Sequence, residues 1–330
     1  MPRVLITGAT GFIGCRLSEL WQSAGRSVRA IGMVRNDVET KRAAGLRQAG
    51  VDLIVGNLAE NSEMHAVLDD VDTVIHLAAA QHEANVGEEY FHRINVDVTK
   101  NLLSQCEKYQ VKRFFYASSI GVYGANDYAE IDENTPLRPD NHYGRSKVAA
   151  EAMLAKYNGD IALYIGRIGE TYGPWDMRLH KLYAGIEKKR FWLVGPGTNL
   201  HQPIYVDDLA EAIDCMLNAT ETVGKPVNLI GGQAITTREM CFGIAAALGT
   251  KLPRFRIPMW PLLFMAIGME MTLGKIGIQP PLHRRRLDFF RKSLSFKTDS
   301  RDCLIKSLAQ LSFDDGARKT ADWYRKNHWL

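Results

Sequence analysis

The chain has 330 residues, 46% of them hydrophobic and 24% charged, enough for one large domain or two smaller ones around an apolar core. Its formal net charge of +4 is too mild for a surface built to grip nucleic acid, so no nucleic-acid partner is expected. Five cysteines, Cys15, Cys106, Cys215, Cys241 and Cys303, lie far apart with no C-x-x-C pair or zinc spacing; they read as reduced thiols of a cytoplasmic protein without a metal site.

Val4-Leu5-Ile6 is a short apolar run with β-branched residues and predicts a buried strand. It begins so near the start that no signal peptide is expected. Thr7-Gly8-Ala9-Thr10-Gly11-Phe12-Ile13-Gly14 follows, then helical spacing from Cys15 to Ala24. Strand, glycine turn and helix in direct succession predict a dinucleotide site. Gly8 makes the tight turn, Gly11 lets the backbone approach a pyrophosphate, and Gly14 lets the helix pack on the strand. The free N–H groups and positive dipole end of the helix face the phosphates. The alternative is a plain strand-to-helix turn, which rarely needs all three glycines.

Val28 to Ile31 predicts strand two, and the ribose-reading position lies near its end. An acid there suits the 2′-hydroxyl of NAD, and an arginine suits the 2′-phosphate of NADP. The stretch Gly32-Met33-Val34-Arg35-Asn36 offers Arg35 before any acid. NADP(H) is therefore favoured, with NAD(H) possible; otherwise Arg35 is a solvated loop charge. Residues 37–49 predict a helix, 51–55 strand three ending in Gly56-Asn57-Leu58, and 61–69 a short helix. Residues 71–77 predict strand four, followed by Ala78-Ala79-Ala80, small enough for a flat cofactor ring to pass or for a helix to pack. Residues 88–109 predict one long helix, and 113–117 strand five. Strands and helices alternating in this way predict an α/β fold, a doubly wound parallel (Rossmann) sheet with helices on both faces. Its ligands bind beyond the carboxyl ends of the strands, where Gly8–Gly14, Arg35, Asn57, Leu77–Ala79 and Ser118–Ser119 all fall.

Strand five ends in Ser118-Ser119-Ile120-Gly121-Val122-Tyr123-Gly124. A helix opened by Asn141-His142-Tyr143-Gly144-Arg145-Ser146-Lys147 runs to about residue 158. Tyr143 and Lys147 are four apart and share a helix face. A free phenol has a pKa of about 10. A nearby ammonium and a nicotinamide positive charge favour the phenolate and bring it toward the working range. Ser119 can hydrogen-bond the oxygen whose proton leaves, and hydride then passes between its carbon and the nicotinamide.

With these pieces the chain resembles the extended short-chain dehydrogenase/reductases, the superfamily of NAD-dependent epimerases and dehydratases. The resemblance rests on Thr7 to Gly14, Leu77-Ala78-Ala79, Asn95-Val96, Ser118-Ser119 through Val122-Tyr123-Gly124, Tyr143 with Lys147, Arg167 with Thr171-Tyr172-Gly173-Pro174, and Ile204-Tyr205-Val206-Asp207-Asp208. It covers residues 2–215. It implies Ser119, Tyr143 and Lys147 as the catalytic triad, with Asn95 supporting the helix beside it. Gly8, Thr10, Gly11, Phe12, Ile13, Gly14, Arg35, Asn57, Leu58, Leu77, Ala78 and Ala79, with Tyr143 and Lys147, would line the cofactor. It also suggests a homodimer. Sugar dehydratases carry Thr-Asp-Glu where this chain has Ser119-Ile120-Gly121, so elimination chemistry is not expected. Nucleotide-sugar epimerases place an arginine just before the Val-x-Asp motif. Here that position is His201, followed by Gln202 and Pro203, with Arg178 or a later basic run to hold the pyrophosphate. His201 and Arg178 join Ser119 and Tyr143 as expected substrate contacts.

The dinucleotide domain is expected over 1–167 with returning elements near 203–232, and a smaller substrate lobe over 168–202 and 233–330. Residues 161–167 and 226–230 predict strands and 236–248 a threonine-capped helix. Residues 258–273 are apolar nearly all round but too short for a clear span. They read as a lid over an apolar substrate or a buried interface helix, or else as a helix lying in a membrane surface, helped by His283-Arg284-Arg285-Arg286 and Arg291-Lys292. The basic run is otherwise a solvated face or an anchor for an anionic substrate group. Pro280-Pro281-Leu282-His283 and Ser295-Phe296 also resemble the tail of the 3β-hydroxysteroid dehydrogenase branch. A final amphipathic helix is expected over 323–330. Three functions are thus open: an epimerase or ketoreductase of a nucleotide sugar, a dehydrogenase of a sterol or other apolar alcohol, and a non-catalytic NADP-binding sensor. The poised base argues against the last.

Overall fold

A computed structural model describes residues 3–59, 64–81, 86–124, 130–253, 255–272, 287–297 and 311–330. Six strands alternate with helices: β1 Arg3–Thr7, α1 Phe12–Ser23, β2 Ser27–Gly32, α2 Asp37–Gln48, β3 Asp52–Val55, α3 Met64–Leu68, β4 Val71–His76, α4 Glu88–His92, α5 Val98–Lys108, β5 Arg113–Ser119, α6 His142–Leu154 and β6 Ala162–Ile168. After them come β7 Thr171–Tyr172, α7 Met177–Glu187, β8 Leu193–Val194, β9 Leu200–His201, β10 Ile204–Tyr205, α8 Val206–Asn218, β11 Pro226–Leu229, β12 Ile235–Thr236, α9 Thr237–Ala247, β13 Arg256–Ile257, α10 Met259–Thr272 and α11 Phe313–Lys326. Seven strands form one sheet in the order β11-β6-β5-β4-β1-β2-β3, every neighbouring pair parallel. Every strand therefore ends at the same edge.

The sheet is buried on both faces because its strands are apolar at consecutive positions. Successive side chains on a strand point to opposite faces. Ile6 joins a core with Leu17, Leu209, Ile213 and Phe115, while its neighbour Leu5 joins the opposite core with Leu102, Phe114 and Leu154. A third cluster gathers Tyr172, Leu179, Tyr183, Met240, Ile244, Ala321 and Tyr324 between α7, α9 and α11. Four cysteines of the described chain, Cys15, Cys106, Cys215 and Cys241, are free thiols, and Cys303 lies outside the described residues.

The structure departs from the sequence reading in three places. The helix expected over 88–109 is broken: Arg93–Asp97 forms a π turn between α4 and α5. The last helix begins at Phe313, not near Trp323, because Ser312 caps it by accepting from Asp315 N and Asp314 and Asp315 fill its first turn, where acids suit the dipole. The apolar helix α10 is not buried: within it only Ala266 is enclosed. The runs 280–283 and 284–286 lie outside the described residues. The described residues 287–297 form a strap across the molecule. Leu294 N donates to Leu200 O at 3.0 Å and Ile131 N to Ser295 O at 2.8 Å, and Lys292 Nζ reaches Asp140 Oδ2 at 2.6 Å, just before α6.

Candidate active site

The glycine turn lies against the end of β4. Gly8 has φ +68°, and a Cβ on it would lie 2.8 Å from Ala78 N. A Cβ on Gly14 would lie 2.4 Å from Gly8 O. Any side chain at either position would push helix, turn and β4 apart. Asn36, Asn141, Asp176, Thr236 and Ser312 cap their helices with side-chain oxygens, whereas α1 begins at Gly11 with no side-chain cap and no acid in its first turn. The donors at that terminus, Phe12 and Ile13 included, thus face the carboxyl edge of the sheet without a side-chain cap or an acid of their own helix turn. The residues present fit a dinucleotide pyrophosphate. The Thr10 hydroxyl donates to Met33 O at 2.6 Å, tying the turn to the loop after β2. Leu77, Ala78 and Ala79 are half-buried at the same edge. Asn57 Oδ1 accepts from Ala59 N at 3.1 Å, whereas the Leu58 side chain is packed into the core that holds Ile31 and Val71.

The expected triad converges. Ser119 is the last residue of β5, and its Oγ accepts from Gly121 N at 3.1 Å and is hydrogen-bonded to the Tyr143 phenol. Asn141 caps α6 by accepting from Gly144 N at 2.9 Å, which starts the helix so that Tyr143 sits in its first turn. Lys147, one turn on, is buried; its Nζ donates to Ala117 O at 2.7 Å and lies 4.6 Å from the Tyr116 ring centre and 5.7 Å from that of Tyr143. Burial pushes the Lys147 ammonium down to about 7, opposed by the Glu151 carboxylate. Burial pushes the Tyr143 phenol up to about 12, with the Ser119 bond pulling the other way. In the protein alone desolvation outweighs the hydroxyl bond, so the expected lowering calls on the nicotinamide positive charge as well as the ammonium.

Asn95 sits inside the π turn. Its amide accepts from Ala80 N at 2.8 Å and donates to Ala80 O at 2.9 Å and to Ser146 Oγ at 2.8 Å. It therefore clamps the loop after β4 to α6, one residue from Lys147. π turns are rare and cluster at functional sites; no periodicity in the sequence announces this one. Below it runs a buried chain of bonds. Ala78 N donates to Thr7 Oγ1 at 3.1 Å, and the Thr99 hydroxyl donates to Asn95 O at 2.8 Å. Thr99 must then accept from His76 Nε2, at 3.0 Å, so His76 Nδ1 accepts from the Thr7 hydroxyl, at 2.8 Å. Burial, helped by Lys147, pushes His76 down to about 3. It is a neutral strut joining β1, β4 and the π turn.

Glu151 is the functional neighbour that the sequence reading missed. It lies on the same face of α6, four residues past Lys147. Arg167 holds it by two bonds, Nε to Oε1 at 3.1 Å and Nη2 to Oε2 at 2.7 Å, and the Ser118 hydroxyl donates to it. Arg167 also donates to the Tyr123 hydroxyl at 2.8 Å. The signal lay in the i, i+4, i+8 series Tyr143, Lys147, Glu151, read together with an arginine at the end of the adjacent strand.

Three expected contacts have protein partners. Arg35 N donates to Glu39 Oε2 at 2.6 Å and its guanidinium lies 3.2 Å from Glu39 Oε1. His201 is buried, with Nδ1 2.9 Å from Glu170 Oε2 and Nε2 2.8 Å from Thr237 Oγ1; both ring nitrogens are taken up, one by the loop before β7 and one by the start of α9. Arg178 donates to Thr171 O at 3.0 Å. Among the described residues no group of three His, Cys, Asp or Glu side chains could hold a metal ion, and no helix is long and apolar enough to cross a membrane.

Residues 4–230 match the model of the NAD dependent epimerase/dehydratase family. The chain belongs to this family. It is an enzyme of the extended short-chain dehydrogenase/reductase type, a nicotinamide-dependent oxidoreductase or epimerase. It is 28% identical over 261 residues to the N-acetyl-alpha-D-glucosaminyl-diphospho-ditrans,octacis-undecaprenol 4-epimerase of Escherichia coli O157:H7, covering 77% of this chain and 75% of that one. It is 25% identical over 342 residues to a decarboxylating sterol-4-alpha-carboxylate 3-dehydrogenase of Schizosaccharomyces pombe, covering 98% of this chain and 97% of the relative. Among solved structures it resembles the UDP-glucuronic acid 4-epimerase of Bacillus cereus in complex with UDP-glucuronic acid and NAD, with a TM-score of 0.78 at 21% identity over 98% of this chain and 99% of that one; this likeness is one of fold.

Proposed function

We propose that the family member described here oxidises and reduces a secondary alcohol or ketone of a nucleotide sugar, with Tyr143 as the proton-transfer group. The observation that carries the reading is the convergence of Ser119, Tyr143 and Lys147 at the strand edge that also holds the uncapped start of α1. When bound, an oxidised nicotinamide supplies the hydride acceptor and a positive charge beside the phenol. Tyr143, as phenolate, takes the proton of the substrate hydroxyl, Ser119 holds that oxygen, and the same carbon gives up its hydride, leaving a ketone. Lys147 holds the phenolate form by charge. Its own bond to Ala117 O fixes where that charge sits. Returning hydride to the other face of the ketone inverts the centre.

Support for a sugar diphosphate comes from the similarity to an epimerase of a diphospho-linked amino sugar. Residues 168–202 and 233–330 are proposed as the substrate lobe, and Arg178, at the start of α7, as its cation toward the diphosphate. His201, enclosed by Glu170 and Thr237, serves to hold the lobe together. For the cofactor, the carboxylate of Glu39, in the first turn of α2, neutralises Arg35 and repels a 2′-phosphate, which favours NAD(H) over the NADP(H) that Arg35 alone suggests. A second reading, a 3β-hydroxysteroid-type dehydrogenase, is favoured by one observation: the sterol dehydrogenase relative aligns across the whole chain. Turnover with NAD, followed at the reduced-nicotinamide absorbance and by sugar analysis, is measured on UDP-hexoses and on 3β-hydroxysteroids. Conversion of the sugars alone supports the first reading, and oxidation of the steroids alone replaces it by the second.

A further inference from the structure

We infer that α10, with Phe255 and the exposed cations Lys251 and Arg256 just before it, forms a docking surface for an anionic lipid bilayer. The helix reads MWPLLFMAIGMEMT. Its outward stripe follows helical spacing: Trp260 is 66% exposed, Phe264 70% and Met271 60%, with Met265 beside them at 48%, and Phe255 just before the helix is 69% exposed. Side chains of this kind cost free energy in water and are rarely left together in it. Trp260 and Phe264 meet edge to face with ring centres 6.4 Å apart, so the stripe presents one continuous aromatic ridge. The start of the helix is joined to the fold where β13 pairs with β8 and Gly195 N donates to Ile257 O at 2.9 Å, and Ala266 is enclosed midway along it. Fourteen residues span about 21 Å, less than the roughly 30 Å of a hydrocarbon core. A helix of this length lies along the interface.

Charge decides what covers this ridge. Residues 251–297 carry ten Lys or Arg and two Asp or Glu, while the whole chain has 41 and 37. The remainder of the sequence is therefore net acidic, with 31 against 35, and the stretch of sequence that contains α10 carries the excess of positive charge. Lys251 and Arg256 are exposed beside its start. Two copies meeting through this face would bring like charges together, whereas an anionic leaflet attracts them and accepts the aromatic ridge. The inference holds for a sugar or a sterol substrate alike.

The test is flotation of the full chain with vesicles of phosphatidylcholine, alone or with roughly one third phosphatidylglycerol. The protein floats with the anionic vesicles, less so as salt rises, and Trp260→Glu/Phe264→Glu lowers the bound fraction by about tenfold or more. Lys251→Glu/Arg256→Glu weakens binding to the anionic vesicles only. All four side chains are partly or largely in solvent, so the melting midpoints stay at the parent value. In the parent protein, tryptophan fluorescence is quenched by bilayers of brominated lipid, and a Trp260→Phe variant loses part of that quenching. Absence of flotation at low salt, or flotation untouched by Trp260→Glu/Phe264→Glu, overturns the inference. A concentration-dependent dimer abolished by the same pair, with no lipid binding, overturns it in favour of a second copy.

Discussion

Replacing Glu151 by Gln tests the buried charge beneath the catalytic helix. Glu151 and Arg167 have side chains only 7% and 5% exposed and are joined at 2.7 Å. Glutamine keeps the shape and loses the charge, leaving the Arg167 guanidinium enclosed without a counter-ion. Breaking a buried pair on one side costs about 3–5 kcal/mol. With about 2–4 °C of melting temperature per kcal/mol for large domains, the midpoint falls by on the order of 10 °C. Glu151→Leu/Arg167→Met removes both charges and recovers most of this loss. The carboxylate also raises the Lys147 pKa, so its removal lets the ammonium deprotonate at lower pH, and the alkaline limb of the rate profile moves to lower pH. Calorimetry and a pH series of kcat/KM check the two halves separately. A midpoint within about 1 °C of the parent refutes the assignment of Glu151 as the essential counter-charge.

Tyr143→Phe abolishes turnover while cofactor affinity stays within about threefold, since only a hydroxyl leaves the edge; retained turnover removes the phenol from the mechanism. Asn95→Ala strands the Ala80 amide and carbonyl and the Ser146 hydroxyl, at about 1–3 kcal/mol for each group left unsatisfied. Differential scanning calorimetry reads the lower midpoint, and an unchanged one contradicts the clamp. Glu39→Gln removes the negative charge beside Arg35 and raises the ratio of NADPH to NADH affinity; titration showing no change in that ratio separates Glu39 from cofactor choice. Lys147 is lowered to about 7 in the folded chain from an ordinary 10.5, so the unfolded chain binds the extra proton between those values. Its penalty is complete below pH 7 and is relieved as pH rises toward 10.5. Urea unfolding in the parent therefore shows a steeper rise of stability over that window than in Lys147→Met, and parallel slopes speak against a buried ammonium.

The strands were readable because each has apolar neighbours in sequence that go to opposite cores, as Leu5 and Ile6 do. The triad was readable because Tyr143 and Lys147 share a helix face after a serine-ended strand. What stayed hidden depends on pairing across long sequence distance. The Thr7–His76–Thr99 strut links residues 69 and 23 apart, and Glu151 gains its meaning only when β6 delivers Arg167. Arg35 reads as a phosphate partner from its loop because Glu39, which pairs with it, lies beyond that loop in the first turn of α2. His201 looked available because nothing local shows that β12 and Glu170 close over it. Burial, which raises the Tyr143 phenol, is set by how α6 packs and has no local mark in the sequence. The exposure of α10 could not be read from its composition, since an apolar helix suits a core and a surface equally.

The π turn at Arg93–Asp97 makes the clamp on the catalytic helix a matter of frame as well as chemistry. It holds one residue more than an ordinary helical turn would. Deleting any single residue there would restore a regular helix and swing everything before it by roughly 100°. Glu88, which meets His142 and Arg145 on α6, would turn elsewhere even though no side chain at the site had been altered. A length change of one residue at this position is expected to disable the enzyme more thoroughly than most substitutions within it.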